Sequence, residues 1–177
     1  MKPKSLNSSE IALILSNLKS PCHRTLFILA NRTGLRISEL LSLKVKDVRQ
    51  YGHIRESVTV ERKNVKGKFA SRTIPLHSEA KRALESFVNL NAHDECKLFE
   101  LTRQHAWRVI KGAAERAEIA GNVSTGSTRK GFAQRIFEVL GKDIVGVQRA
   151  LGHRTLHATH HYLSCDQQAV DTAILST

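Results

Sequence analysis

Cysteine and long apolar stretches are both scarce in this sequence of 177 residues. The three cysteines, Cys22, Cys96 and Cys165, are odd in number and lack Cys-x-x-Cys spacing, so they predict neither a disulfide framework nor a zinc knuckle. No apolar run approaches the roughly 18 residues of a membrane-spanning helix, and the polar start lacks the apolar segment of a signal peptide. These absences favour a protein of the reducing cytoplasm with no membrane partner.

Acidic residues are also few. The chain has 16 Asp and Glu against 28 Lys and Arg, which gives a formal net charge of +12. A positive field of this size attracts polyanions, and without an apolar spanning segment nucleic acid is a better candidate partner than a membrane surface. Hydrophobic residues make up 41% and charged residues 25%, which is ordinary for a globular domain. The length fits a single domain.

Helical periodicity runs through most of the chain. A first helix starts after a cap at Ser8 or Ser9 and ends by Pro21, and a second helix ends at Gly34, which can adopt the left-handed conformation. A short third helix, Ser38 to Leu43, follows at once, which predicts that Arg36 lies in a turn between helices. Later apolar patterns predict four more helices, at about 78–90, 103–118, 128–140 and 143–151.

Two short β-rich runs interrupt the helices. Val58 and Val60 alternate with polar residues, and a second run at 73–76 follows Gly67, which predicts a β-hairpin. No Asp or Glu occurs from 62 to 78, so the hairpin tip is basic. Its cationic residues are Arg62, Lys63, Lys66, Lys68 and Arg72.

Four separate segments each hold a residue suited to handling a phosphodiester. They are Thr33-Gly-Leu-Arg-Ile-Ser-Glu-Leu40, the basic hairpin, Ser127-Thr-Arg-Lys-Gly-Phe132, and Leu151-Gly-His153 with Tyr162 nine residues later. In this order, from about Ser8 to Ser164, they resemble the catalytic domain of the phage integrase, or tyrosine recombinase, family. The resemblance implies a mostly helical α+β fold with a small β-hairpin sheet. It predicts one catalytic domain over 1–177, like the short recombinases that lack an N-terminal DNA-clamping domain.

The resemblance also implies a reaction. A member of this family would cleave and rejoin double-stranded DNA at specific sites through a 3′-phosphotyrosine intermediate, without metal, ATP or another cofactor. It would act as a homo-oligomer on DNA, and exchange of the last amphipathic stretch, Gln167 to Leu175, is one way to assemble it.

Each catalytic role falls on a residue of this sequence. By resemblance, Arg36 and Arg129 hold the phosphate oxygens, a task for guanidinium groups because they bind bidentately and keep their proton. Glu39 either orients Arg36 or another cation, or is a helix-start acid that favours the helix dipole. His153 hydrogen-bonds a non-bridging oxygen, and Tyr162 is the nucleophile.

The proton for the leaving oxygen comes, by resemblance, from a hairpin lysine. We assign this role to Lys66, with Lys68 as the close alternative and Lys63 as a more distant one; all three would otherwise contact DNA phosphates. The residues assigned to DNA binding are Arg62, Lys63, Lys68, Arg72 and Lys130.

One position departs from the family pattern. The histidine expected three residues before the second arginine is replaced here by Gly126, which offers neither a phosphate contact nor a proton relay. Ser124 or Ser127 could supply the missing group. Otherwise the chain is a catalytically weakened DNA-binding regulator of recombinase ancestry. A topoisomerase-like strand relaxer and an architectural basic protein are further alternatives.

Two smaller expectations concern side chains near these motifs. His157, His160 and His161 have spacings that invite a zinc site with His153, but no carboxylate or cysteine lies at a matching spacing, so we predict no metal. Trp107 and Phe132 are lone aromatics at helical spacing and are expected to fill the core.

Overall fold

The computed structural model describes residues 3–63, 69–88, 92–160 and 162–163, with the backbone alone for 61–63 and 69–70. The chain divides into two compact units, Met1–Phe132 and Ala133–Thr177. Within these described ranges, no helix combines the length and the apolar character that crossing a membrane requires.

Among the residues that the structure describes, seven helices begin in the first unit: α1 (Ser8–Ser16), α2 (Pro21–Thr33), α3 (Ile37–Leu40), α4 (Val45–Val48), α5 (Ser78–Phe87), α6 (Arg103–Arg116) and α7 (Thr125–Val139). Helix α1 is capped by Asn7 rather than by a serine, because the Asn7 side chain accepts from the Glu10 N–H at 2.9 Å and the Glu10 carboxylate accepts from the Asn7 N–H at 3.1 Å. Helix α2 ends at Gly34 in the left-handed conformation, as predicted.

In the described part of the chain, four strands form two antiparallel pairs. Strands β1 (Arg49–Gln50) and β2 (His53–Ile54) make a very short ladder, and β3 (Ser57–Lys63) and β4 (Phe69–Pro75) make the predicted hairpin. Val58 lies opposite Ile74 and Val60 lies opposite Arg72. Directly opposed residues project to the same face of a sheet, so the three apolar residues and Arg72 share the inner face of the hairpin.

Helix α2 lies between two apolar clusters of the first unit. Leu26 and Leu29 belong to a cluster that includes the hairpin residues Val58 and Val60. Phe27 belongs to the other, which joins α1, α6 and the segment before α7. The hairpin and α3 are therefore built on the same core as α2, and that core fixes the position of the turn between α2 and α3.

The core prediction for the two aromatic residues was half right. Phe132 is buried, as expected. Trp107 is 42% exposed on α6, with the Lys111 ammonium 4.9 Å from its ring centre, so the expectation that it fills the core was wrong. The α6 residues that face the core are the small or aliphatic Ala106, Ile110, Ala113 and Ala114.

In the second unit, α8 (Ile144–Leu151) contacts α9 (Leu156–His160). Helix α8 begins at Asp143, whose carboxylate accepts from the Val145 N–H at 2.8 Å, and it ends at Gly152 with a φ of 63°. The predicted last amphipathic stretch, Gln167 to Leu175, lies outside the described residues.

Candidate active site

The turn after α2 is shaped around Gly34. Its φ of 60° belongs to the left-handed region, and its N–H donates to the Ala30 carbonyl oxygen at 3.2 Å. A Cβ added at this position would lie 2.2 Å from Cδ1 of Phe132, where no side chain fits. Both conformation and contact therefore require glycine. The turn places Arg36 at the N-cap of α3, as predicted.

Arg36 and Glu39 form a closed local pair. The Glu39 carboxylate accepts from the Arg36 backbone N–H at 2.7 Å and from its Nη1 at 3.0 Å. Burial by itself would raise the pKa of Glu39, but the hydrogen bond from the Arg36 backbone and the charges of Arg36, Arg72 and Arg129 outweigh burial and hold that pKa below its ordinary value. Glu39 thus holds the Arg36 guanidinium and, through the Arg36 backbone N–H, also caps the start of α3.

Arg129 is almost completely buried, with 2% of its surface exposed. Its Nη1 donates a short hydrogen bond to the Gly34 carbonyl oxygen. This bond fixes the guanidinium against the Gly34 turn. The structure therefore brings Arg129, the Gly34 turn and the Arg36–Glu39 pair together in the first unit.

The start of α7 is held by two serines. The Ser124 hydroxyl accepts from the Gly126 N–H at 3.2 Å, and the Ser127 hydroxyl accepts from the Ser124 N–H at 3.0 Å. This is a reciprocal cap of the kind that begins a helix. Both hydroxyls suggested as substitutes for the missing histidine are therefore engaged in capping the helix that carries Arg129.

Gly126 lies in the first turn of α7 and does not have a positive φ. A Cβ added there would lie 3.0 Å from Cγ of Pro3 and 3.6 Å from the Ser124 hydroxyl oxygen. Glycine is therefore not needed for backbone conformation at this position. What a side chain would meet is the N-terminal segment, where the Lys4 N–H donates to the Asn122 carbonyl oxygen at 2.9 Å.

The hairpin contributes Arg72 to the same neighbourhood. Its Nη2 lies 3.5 Å from Oε2 of Glu39, and its side chain is only 16% exposed. Lys66 and Lys68 lie outside the described residues, as do the side chains of Arg62 and Lys63. Lys130 is half-buried on α7.

In the second unit, His153 and Tyr162 are neighbours. Their ring centres are 5.1 Å apart at an interplanar angle of 43°. Nδ1 of His153 is 3.0 Å from the hydroxyl of Thr159, a fully buried residue. The Tyr162 N–H donates to the Thr159 carbonyl oxygen at 2.9 Å. Thr159 thus orients the histidine and anchors the tyrosine, a role that sequence reasoning missed because a threonine six residues after a histidine carries no signal.

The zinc alternative concerns the histidines of this second unit. Among the residues that the structure describes, no group of three or more His, Cys, Asp or Glu side chains is arranged to hold a metal ion. His161 lies outside them.

In the first unit, the Glu39 carboxylate is surrounded by the guanidinium groups of Arg36, Arg72 and Arg129. This cluster of four side chains has a net positive charge and is suited to binding an anion. Because Arg36 and Arg129 are fixed by protein contacts, they can stabilise charge on phosphate oxygens without reorganising. In the second unit, a phenol lies beside an imidazole whose orientation is fixed by a buried hydroxyl.

Comparison with known proteins gives the same picture. The model of the phage integrase family matches residues 4–169. Tyrosine recombinase XerD of Listeria monocytogenes is 29% identical over 175 residues, which cover 90% of this chain and 57% of XerD.

Solved structures share the mostly helical fold with a small two-stranded sheet. XerH recombinase bound to palindromic difH substrate, a post-cleavage complex, has a TM-score of 0.76 at 22% identity over 97% of this chain and 52% of that chain. The catalytic domain of bacteriophage HP1 integrase has a TM-score of 0.65 at 22% identity, and the match covers 97% of this chain and 95% of that domain.

The chain spans a little over half the length of the XerD protein that it resembles, and it spans nearly the whole of the HP1 catalytic domain. The family model matches almost all of the chain, including every segment that carries a predicted site residue. The protein therefore belongs to the phage integrase family, with tyrosine recombinases as its relatives.

Proposed function

We propose that this protein is a site-specific DNA recombinase that cleaves and rejoins duplex DNA through a 3′-phosphotyrosine on Tyr162. The observation that carries the proposal is the arrangement at Gly34, where Arg129 and the Arg36–Glu39 pair meet. The XerH relative was solved on a DNA substrate, which supports DNA as the partner here. The match to the HP1 catalytic domain supports a single catalytic domain as the role of this chain.

In the proposed reaction, Arg36 and Arg129 hold the non-bridging oxygens of the scissile phosphate. Phosphoryl transfer spreads negative charge over these oxygens in the transition state, and fixed guanidinium groups stabilise that charge. Because Thr159 engages Nδ1 of His153, we assign Nε2 of His153 to a third hydrogen bond with the phosphate. These three groups bind the phosphate more tightly as its charge redistributes, which lowers the barrier.

Tyr162 attacks through its phenolic oxygen. A phenol has an ordinary pKa near 10, so neighbouring cations must favour loss of its proton, which passes to solvent water as the oxygen attacks. The bond from phosphorus to the 5′-oxygen breaks, and that oxygen takes a proton from a hairpin lysine, which we assign as Lys66. The phosphotyrosine conserves the energy of the phosphodiester. A 5′-hydroxyl can therefore reverse the step, and the reaction consumes no ATP and needs no metal.

The positive charge of the molecule supports the DNA contacts. We assign Arg62, Lys63, Lys68 and Lys130 to the phosphate backbone, where cations release condensed counterions and increase affinity. We further propose that the protein assembles as a homo-oligomer on paired half-sites, as strand exchange between two duplexes requires. Action on DNA agrees with the cytoplasmic location expected from the cysteines.

The test is a nicked suicide substrate, which traps a covalent protein–DNA product that is visible on a denaturing gel. We expect wild-type protein to form the adduct and Tyr162→Phe to form none, because the ring is kept while the attacking oxygen is lost. Tyr51→Phe is the matched control: Tyr51 is 91% exposed in the first unit and should form the adduct at the wild-type rate. Adduct formation by Tyr162→Phe would refute the assignment.

A second candidate, a DNA-binding regulator without catalysis, is favoured by Gly126 and by the engagement of both nearby serines. It predicts sequence-specific binding to DNA, with no covalent adduct from the wild-type protein however the two half-sites are arranged. A strand relaxer would instead remove supercoils from a plasmid that lacks a recombination site.

A further inference from the structure

We propose that Arg72 is a positioning residue for the general acid: through Glu39 it fixes the β3–β4 hairpin to the arginine site, so that the hairpin lysine reaches the leaving oxygen. The inference rests on the proposed function. It gives Arg72 a role different from the DNA contact expected from the sequence.

Arg72 projects from the inner, apolar face of the hairpin. It lies opposite Val60, and the next inward pair toward the strand ends is Val58 with Ile74. Val58, Val60 and Ile74 are all buried. Arg72 therefore continues an apolar inner face and replaces the aliphatic side chain that such a face would otherwise carry. The opposite face of the hairpin carries the Thr59 and Thr73 hydroxyls, which contact each other at 2.9 Å.

Arg72 pairs with Glu39, a carboxylate that Arg36 already holds in place. Glu39 is already fixed by two hydrogen bonds from Arg36, at 2.7 and 3.0 Å, and Nη2 of Arg72 lies 3.5 Å from the same carboxylate. The side chains of Arg72 and Glu39 are 16% and 13% exposed. Ion pairs so little exposed to water are weakly screened, so the attraction between these two side chains persists at ordinary salt concentration. Glu39 thus links the hairpin to the turn that carries Arg36.

The ion pair between Arg72 and Glu39 lies on the tip side of the apolar Val58–Ile74 pair. A two-stranded ribbon is only marginally stable without packing on one face. Toward the tip, Arg72 is the last inward-facing side chain of β4 that the structure describes, and β4 begins only three residues earlier, at Phe69. The apolar contacts hold the base of the hairpin. Arg72 holds the half nearer the lysine segment.

The consequence is specific to one catalytic step. If Arg72 positions the lysine, its loss misplaces the general acid but leaves Arg36 and Arg129 on the phosphate. Misplacement by about 1 Å can cost about 100-fold in rate. The loss of cleavage rate should therefore disappear when the leaving group needs no proton.

The experiment compares single-turnover cleavage of an ordinary suicide substrate with cleavage of one whose 5′-bridging oxygen is replaced by sulfur. A thiolate leaves without a general acid, so the sulfur substrate reports on everything except proton donation. We expect Arg72→Gln to be about 10- to 100-fold slower than wild type on the oxygen substrate and within about threefold of wild type on the sulfur substrate. Arg72→Lys, which keeps the charge, should lose less on the oxygen substrate.

Three comparison variants complete the test. Lys66→Ala should show the same rescue by sulfur, and Arg36→Lys should be slow on both substrates, because a point ammonium does not reproduce the bidentate fork. Arg82→Gln removes one exposed charge from α5 and should behave as wild type on both. The double variant Glu39→Gln with Arg72→Gln should be no slower than Glu39→Gln alone, since both remove one link.

The outcomes separate the two proposals. If wild-type protein forms no adduct with either substrate, the proposed function fails. If wild type cleaves but Arg72→Gln is equally slow on both substrates, Arg72 contacts the phosphate and the positioning role is refuted. Wild-type rates on the oxygen substrate for Arg72→Gln would refute it as well. Should Arg72→Gln fail to fold, the same oxygen-to-sulfur comparison on Arg72→Lys decides the matter.

Discussion

Gly126 stands where the resemblance to the family predicts a histidine, and its surroundings make a repair experiment possible. Its backbone tolerates a side chain, because its φ is not positive and it lies within the first turn of a helix. The obstacle is Cγ of Pro3, 3.0 Å from the position of an added Cβ. A histidine there would need Pro3 to yield by a few tenths of an ångström.

We therefore expect Gly126→His to lower the melting temperature slightly, and the double variant Gly126→His with Pro3→Ala to recover it, since alanine lacks the crowding Cγ. If the imidazole reaches the phosphate, cleavage of a suicide substrate should rise by at least about tenfold, with the roughly 10² to 10⁴ that a well-placed acid–base group contributes as the upper range. Pro3→Ala alone is the control and should change neither quantity. A stable double variant with unchanged cleavage would show that Gly126 does not occupy the family's histidine position.

Glu39 supplies a second test at the residue scale, through pH. Its pKa in the folded protein lies below the ordinary value of 4.5, so the ionised carboxylate stabilises the fold above that pH, and the contribution is lost as pH falls through the lowered pKa. We expect Glu39→Gln to melt about 5 °C or more below wild type at pH 7, with the difference shrinking below about pH 4.5.

The control for that titration is Glu56→Gln. Glu56 is 84% exposed and pairs with Lys81 at the surface, where ion pairs contribute little. Its melting temperature should follow that of wild type at every pH. A Glu39→Gln difference that stays constant from pH 7 to pH 3 would contradict an ionised, stabilising Glu39.

Single residues also show where sequence reasoning succeeds and where it stops. Gly34 was predictable because only glycine ends a helix readily in the left-handed conformation. The burial of Arg129 was not, because a lone arginine in a sequence most often belongs to the solvated surface, and the carbonyl that holds it is 95 residues away. The prediction that Trp107 fills the core failed because small residues of α6 face the core and leave the large ring at the surface.

At the scale of elements, periodicity predicted the long helices and the hairpin with errors of a few residues at their ends. The second helix and the hairpin pairing agree closely with the structure. Helix α4, helix α9 and the β1–β2 ladder were missed, because elements of two to five residues give at most a weak periodic signal. Their form depends on tertiary contacts, such as the bond from the Val45 N–H to the Cys96 carbonyl oxygen at 2.9 Å.

The hairpin shows a second limit at this scale. Its basic character was plain from the sequence, but the face on which each cation lies depends on the strand register. The pairing of Val60 with Arg72 turns that arginine inward, which no count of charges reveals. An element can therefore be predicted correctly while the face on which one of its residues lies is not.

At the scale of the whole molecule, the net charge of +12 leads to a prediction on binding. Each phosphate that a cation neutralises releases counterions, so the logarithm of affinity should fall linearly with the logarithm of salt concentration. With about six phosphate contacts, affinity for one half-site should drop about 1000-fold between 50 and 200 mM salt. Replacing Lys63 and Lys68 with glutamine should reduce the slope by about two contacts, and a salt-independent affinity would contradict the assigned interface.

The same titration on paired half-sites tests assembly. Contacts between protomers add avidity without adding phosphates per protomer, so binding should become cooperative. Independent filling of the two half-sites would count against an oligomer on DNA.

The contact of Arg129 and Phe132 with the Gly34 turn also bears on how such proteins diverge. Replacing Gly34 meets the Phe132 ring, and replacing Arg129 leaves the Gly34 carbonyl oxygen without its short bond. Each of the three residues is thus in contact with another far away in the chain, and a change at one alters the surroundings of the others. We infer that a glycine, an arginine and an aromatic residue in this order should persist together in distantly related sequences, even where most of the surrounding sequence has changed.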